Sequence, residues 1–128
     1  MATVLIVEDE DQVRVLAESY LREQGHQTVS AATTEEALAV FDVVARIDVV
    51  FTDVILNGDV HAGLELAKQA VQRQPDLKVL FTTGSSVTDG MKAMMVEKAA
   101  VLEKPYTVDQ LQAALSVHFG IKPSPGTP

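Results

Sequence analysis

The sequence predicts an α/β domain with a parallel sheet covered by helices on both faces. Three observations point there. Short apolar runs recur along the 128 residues, segments of helical period separate them, and the runs are too apolar to face water on either side.

The first strand is TVLIV (3–7). Val13, Leu16, Ala17, Tyr20 and Leu21 then follow the i, i+3, i+4, i+7, i+8 stripe of an amphipathic helix, which Gly25 can end. QTVSA (27–31) is a weaker strand. A second helix starts with Thr33 or Thr34 as N-cap and turns Ala37, Leu38, Phe41 and either Val44 or Ala45 inward. VVF (49–51) reads as a strand buried on both faces.

A third helix runs over 62–74 and must stop before Pro75, because the residue before a proline is pushed out of the helical region. KVLF (78–81) is the fourth strand. A fourth helix over 87–97 contains Gly90, and AVLE (100–103) is the fifth strand. The last helix follows Tyr106, faces Val108, Leu111, Ala114, Leu115 and Phe119 inward, and stops at Gly120. One domain over 1–120 results; the tail IKPSPGTP (121–128), with three prolines and little to bury, is expected to be a disordered end or linker stub.

Ten Lys and Arg against 18 Asp and Glu leave a net charge of -8, which argues against nucleic acid and anionic membranes and favours basic partners or cations. No cysteine is present, which excludes disulfides, thiol chemistry and Cys-based zinc sites. No apolar run approaches the ~20 residues of a membrane span. A cytoplasmic location is the expectation.

Ligand sites of open parallel sheets form beyond the carboxyl ends of the strands. The polar residues there are Glu8, Asp9, Asp53, Thr83 and Lys104. Clustered carboxylates repel unless a cation compensates them, and oxygen ligands with room for water suit Mg²⁺, which often shares its shell with a phosphate. Lys104 and Thr83 would then meet the oxygens of an anion. That set fits phosphoryl transfer onto a carboxylate.

Each member has an ordinary reading alone. Asp9 and Asp11 could cap the first helix, Lys104 could be a surface lysine and Thr83 a strand threonine. Their coincidence at strand ends outweighs those readings. His26, His61 and His118 are scattered, as packed or exposed histidines are, although His61 lies in a loop adjoining Asp53. Met91, Met94 and Met95 are either an adaptable docking surface or core. The TTGSS stretch lacks the lysine of a phosphate-binding loop, which rejects nucleotide binding there.

VLIVEDED (Glu8, Asp9), FTDVIL (Asp53), LFTTGS (Thr83) and LEKPY (Lys104, Pro105) together resemble the receiver domain of two-component response regulators, over residues 3–119. FTTG and LEKPYT look similar to receivers of hybrid kinases. The resemblance implies a flavodoxin-like sheet of order 2-1-3-4-5. It further implies that Asp53 takes phosphoryl from a histidine kinase or histidine phosphotransfer protein. Asp9, Asp53 and the Ile55 carbonyl would hold Mg²⁺, with Glu8 assisting through water; Thr83 and Lys104 would bind phosphoryl oxygens. The Lys104–Pro105 bond would be cis, as is usual in the family.

Three departures from the family follow. LNGDVHAG replaces the usual methionine, proline and shorter loop, which suggests mobility beside the acceptor or simply a solvated turn. Val101 stands where the family has a switch aromatic, and Tyr106 is displaced from that position. Ile55 stands where some members orient hydrolytic water with a polar group, so a long-lived acyl phosphate is expected unless Ser85 supplies the contact. Two other functions remain open: a pseudo-receiver that is never phosphorylated, and an aspartyl-nucleophile phosphatase. The latter would need an acid where Ile55 stands.

Overall fold

The computed structural model describes residues 2–84 and 87–123. Strands and helices alternate as β1 (Thr3–Val7), α1 (Asp11–Glu23), β2 (Gln27–Ala31), α2 (Thr34–Val43), β3 (Val49–Asp53), α3 (Ala62–Arg73), β4 (Lys78–Thr83), α4 (Asp89–Met94), β5 (Ala100–Glu103) and α5 (Val108–Phe119). The five strands are parallel in the order β2-β1-β3-β4-β5. The chain therefore reverses direction across the sheet between β1 and β3, whose carboxyl ends are neighbours there.

Alternating side chains divide the core between the two faces. Val4, Ile6, Phe51 and Leu80 pack against Ala17 and Leu21 of α1 and Leu111, Ala114 and Leu115 of α5. Leu5, Val7 and Val50 pack with Ala37 of α2 and Leu66 and Ala70 of α3. Val79 and Phe81 meet Val54, Leu64 and Ala67 of the α3 region. Every residue of β3 is buried, which explains its continuous apolar run.

The helix ends follow local chemistry. Thr33 and Thr107 accept hydrogen bonds from the N–H groups of Glu36 and Gln110, and Thr107 with Gln110 forms a reciprocal capping box. Val44, not Ala45, packs into the core beyond α2. α4 is shorter than the 87–97 expected. Met95 is already extended, and the chain needs residues 96–99 to enter β5.

Leu16 is a second correction: it belongs to the α1 stripe by spacing yet is 52% exposed. α1 contacts the sheet through Ala17 and Leu21, and Leu16 borders an open hollow instead. Ile121, read from sequence as the start of the tail, packs on the core and accepts hydrogen bonds from Gln112 Nε2 and Ser116 Oγ at 3.0 Å each. Tail residues 124–128 lie outside the described residues, as does Ser85. Among the described residues, no helix is long and apolar enough to cross a membrane.

Candidate functional site

Four strand ends, those of β1, β3, β4 and β5, bring the predicted residues together. The Glu8 N–H donates to the Ala31 carbonyl at 3.1 Å, continuing the β1–β2 ladder by one residue. Arg14 then clasps the β1–α1 loop: Nη1 donates to the Glu8 carbonyl at 2.9 Å and Nη2 to Asp11 Oδ1 at 2.6 Å. Glu10 occupies the N-cap position of α1 without a side-chain cap bond, so Asp9 and Asp11 are not the caps their position suggested. Asp11 pairs with Arg14 instead, and Asp9 turns toward the β3–α3 loop.

On the other side, the Lys104 N–H donates to the Thr83 carbonyl at 2.9 Å, extending the β4–β5 ladder. The peptide between Lys104 and Pro105 is cis. Lys104 reaches back over the sheet, and Nζ lies 2.7 Å from Glu8 Oε1 and 2.9 Å from Asp53 Oδ1. One carboxylate oxygen from each of Glu8, Asp9 and Asp53 lies within 4.8 Å of the others. Thr83 ends β4, buried at 5% exposure.

Asp53 is 4% exposed. Lys104 reaches its Oδ1 at an ion-pair distance of 2.9 Å. That oxygen and Thr82 Oγ1 are buried without a hydrogen-bond partner among the described residues. Thr82 pairs in register with Asp53, so both side chains stand on the same face of the sheet. A buried oxygen left in this state is unusual in a folded protein and marks a place where a further group can bind.

Burial, and after it the hydrogen bond shared with Glu8, pushes the Asp53 carboxyl up to about 8, with Lys104 pulling the other way. Burial also acts to raise Glu8. There the hydrogen bonds with Asp53, Lys104 and the Glu10 N–H outweigh it and hold the group below its ordinary value. Burial would lower Lys104, but Glu8 and Asp53 raise it on balance. The protein groups alone thus balance two carboxylates against one ammonium and one proton. A divalent cation would take over the role of that proton.

Sequence reasoning did not single out Gly63 or Arg14, and it read the segment after β3 as either mobile or a solvated turn. The Gly63 N–H donates to the Val54 carbonyl at 2.9 Å, and a Cβ there would run into the Asp53 carbonyl and lie 2.9 Å from Val54 Cα. The signal available was a glycine at the start of a helix following an acidic strand end. In LNGD, Leu56 and Asp59 exchange backbone hydrogen bonds in both directions, at 3.2 and 2.9 Å. Asn57 and Gly58 between them have φ of 52° and 79°. This is an Asn-Gly turn whose residues Asn57 to Asp59 are exposed, the solvated turn of the two readings the sequence allowed.

The remaining departures also have definite positions. Ile55 is 40% exposed beside the acceptor. Val101 is half-buried, with Met91, Met94 and Met95 around the same Phe81 cluster, so the methionines serve as rim of the core. Tyr106 turns the opposite way, edge-on to Phe51 with ring centroids 5.6 Å apart, and it meets α1 rather than α4. His26 is buried, and His61 is exposed at the start of α3.

Chemically, the cleft holds a carboxylate with an oxygen to spare, an ammonium beside it, a buried hydroxyl and two further acids. The donor set is all oxygen, suits Mg²⁺, and could also cradle a phosphoryl group.

Comparison with known proteins agrees. The profile of the response regulator receiver domain matches residues 4–116. The sensor kinase CckA of Brucella abortus is 31% identical over 112 residues, covering 86% of this chain and 12% of that protein. The transcriptional regulatory protein YxdJ of Bacillus subtilis is 30% identical over 115 residues, covering 90% of this chain and 49% of the relative. The chain thus spans less than half the length of these curated relatives.

Among solved structures, the chemotaxis protein CheY4 of Vibrio cholerae superposes with a TM-score of 0.81 at 27% identity, covering 93% of this chain and 99% of that one. The receiver domain of the hybrid histidine kinase CckA gives a TM-score of 0.73 at 30% identity, covering 91% and 97%.

Proposed function

The chain belongs to the response regulator receiver domain family, and on that premise we propose that it is a phosphoacceptor module of a two-component system, with Asp53 as the acceptor. The donor is the phosphohistidine of a histidine kinase or histidine phosphotransfer protein. An Asp53 carboxylate oxygen attacks phosphorus, the N–P bond of the phosphohistidine breaks, and the imidazole leaves with a proton. The product is an acyl phosphate on Asp53.

The observation that carries this reading is Asp53 itself: a carboxylate 4% exposed, with one oxygen beside Lys104 and no hydrogen bond to it. Asp9, Asp53 and the Ile55 carbonyl would hold Mg²⁺, with Glu8 supporting it through water. The ion would neutralise charge on the phosphoryl oxygens as they transfer. Lys104 is placed to move from Asp53 to a phosphoryl oxygen while Glu8 retains its other contact. Thr83, at the end of the adjoining strand, would donate its hydroxyl to another phosphoryl oxygen.

The donor must bring its imidazole to Asp53. The exposed apolar surface next to Lys104 is a hollow of about 370 Å³ lined by Val13, Leu16, Tyr20, Pro105 and Tyr106, and it suits contact with a protein donor. Output is by protein contact, with a downstream protein as partner, and the only chemistry is self-phosphorylation and autodephosphorylation. Residues 1–120 form the receiver unit in this reading, with Ile121 packed onto its core. Ile55 leaves no general acid two residues after the nucleophile, which argues against turnover of external phosphate esters.

The test is intact mass after incubation with acetyl phosphate and Mg²⁺, for wild type and Asp53→Ala. An adduct of ~80 Da on wild type alone is the expected result. No adduct on either protein would favour a pseudo-receiver that works by contact only.

A further inference from the structure

We propose that the Asn57–Gly58 turn is a positioning element for Asp9, holding one oxygen of that carboxylate so that it presents a single oxygen to a cation. The Asn57 N–H donates to Asp9 Oδ2 at 2.8 Å, across 48 residues of sequence. In a two-residue turn, the N–H of the first turn residue takes no part in closing the ladder, so it is free to point outward. Here it points at the acid.

The turn is itself anchored. Leu56 is 1% exposed in the core of the α2–α3 face, and its two hydrogen bonds with Asp59 fix the turn to that anchor. The left-handed φ of 52° and 79° is what Asn followed by Gly adopts readily. An acid held in this way loses less freedom when an ion binds, and it is kept from swinging onto the ion with both oxygens. The longer loop of this chain thus does work that its composition alone would assign to a solvated connection.

This inference rests on the cation reading of the site, so the experiment separates the two. Calorimetric titration with Mg²⁺ is made on wild type, Gly58→Ala and Asn57→Gly, with thermal melts and amide hydrogen exchange at Asn57 on the same proteins. Space around Gly58 is open, so Gly58→Ala introduces only the strain of a left-handed backbone and tests the turn cleanly. Its Mg²⁺ affinity is expected to fall by up to about tenfold as the turn opens. Asn57→Gly keeps the N–H and tolerates the left-handed backbone but loses the 3.5 Å bond of Asn57 Nδ2 to the Ala32 carbonyl. Its Mg²⁺ affinity is therefore expected to lie between those of wild type and Gly58→Ala; affinity below that of Gly58→Ala in a folded protein overturns the inference.

The Asn57 amide of wild type is expected to stay protected from exchange with and without Mg²⁺. Equal Mg²⁺ affinity in wild type and Gly58→Ala, with both folded, overturns the inference while leaving the cation site standing. Rapid exchange at Asn57 in folded wild type overturns it as well. Absence of Mg²⁺ binding by wild type overturns the cation reading, and this inference with it.

Discussion

Gly63 lies against the main-chain carbonyl of Asp53 with no room for a side chain between them. The first turn of α3 therefore packs backbone to backbone on the strand end that carries the acceptor. Gly63→Ala is expected to push α3 and Asp53 apart, at a cost of about 1–3 kcal/mol. Urea unfolding measures the loss, and slower adduct formation with acetyl phosphate would accompany it. An unchanged midpoint would mean that the helix can slide without strain.

Thr82 Oγ1 is buried without a hydrogen-bond partner among the described residues, next to Asp53 on the same face. Valine has nearly the same shape and suits a strand. Thr82→Val is expected to raise stability by about 1 kcal/mol, because it removes an unsatisfied hydroxyl at little cost in volume. A lower denaturation midpoint would show that the hydroxyl is satisfied in solution.

Asp53 sets the pH dependence of the metal-free protein. Its carboxyl is pushed up to about 8, so between the ordinary value of 3.8 and that point the folded state holds a proton that the unfolded chain has released. Stability therefore falls as pH rises through this window. The lowered Glu8 acts in the opposite sense and only in acid, where its contribution is lost as pH falls. Denaturant midpoints from about pH 5 to about pH 9 should decline in wild type and flatten in Asp53→Asn. Apparent Mg²⁺ affinity should climb over the same range, since the ion competes with the proton.

Ile55, half exposed beside the acceptor, offers no hydrogen bond to a hydrolytic water. The acyl phosphate on Asp53 is expected to be long-lived, and Ile55→Asn to shorten its lifetime several-fold. Loss of label after removal of the donor measures both. A lifetime of seconds in wild type with Mg²⁺ would refute the idea.

Much of the site was legible because its members sit where apolar runs end, and a parallel sheet gathers those ends on one side. Glu8, Asp9, Asp53, Thr83 and Lys104 could be collected that way before any coordinates. The α1 stripe, the α2 cap at Thr33 or Thr34 and the stop at Gly120 were equally readable, since each depends on residues within a turn or two of one another. Leu16 misled because period identifies a face but not how far the face extends before the sheet curves away. α4 misled because the entry into β5, not helix propensity, sets its end.

The sequence by itself determined the alternation of strands and helices, the burial of β3 and the set of polar residues at the strand ends, because each follows from local period and residue type. Only the tertiary structure decided which atoms meet: Lys104 with Glu8 and Asp53, Asn57 with Asp9, and Gly63 with the Asp53 carbonyl. Those contacts join residues tens of positions apart. Their distances depend on how the strands stagger and the loops turn, to within fractions of an ångström, and no local pattern encodes that.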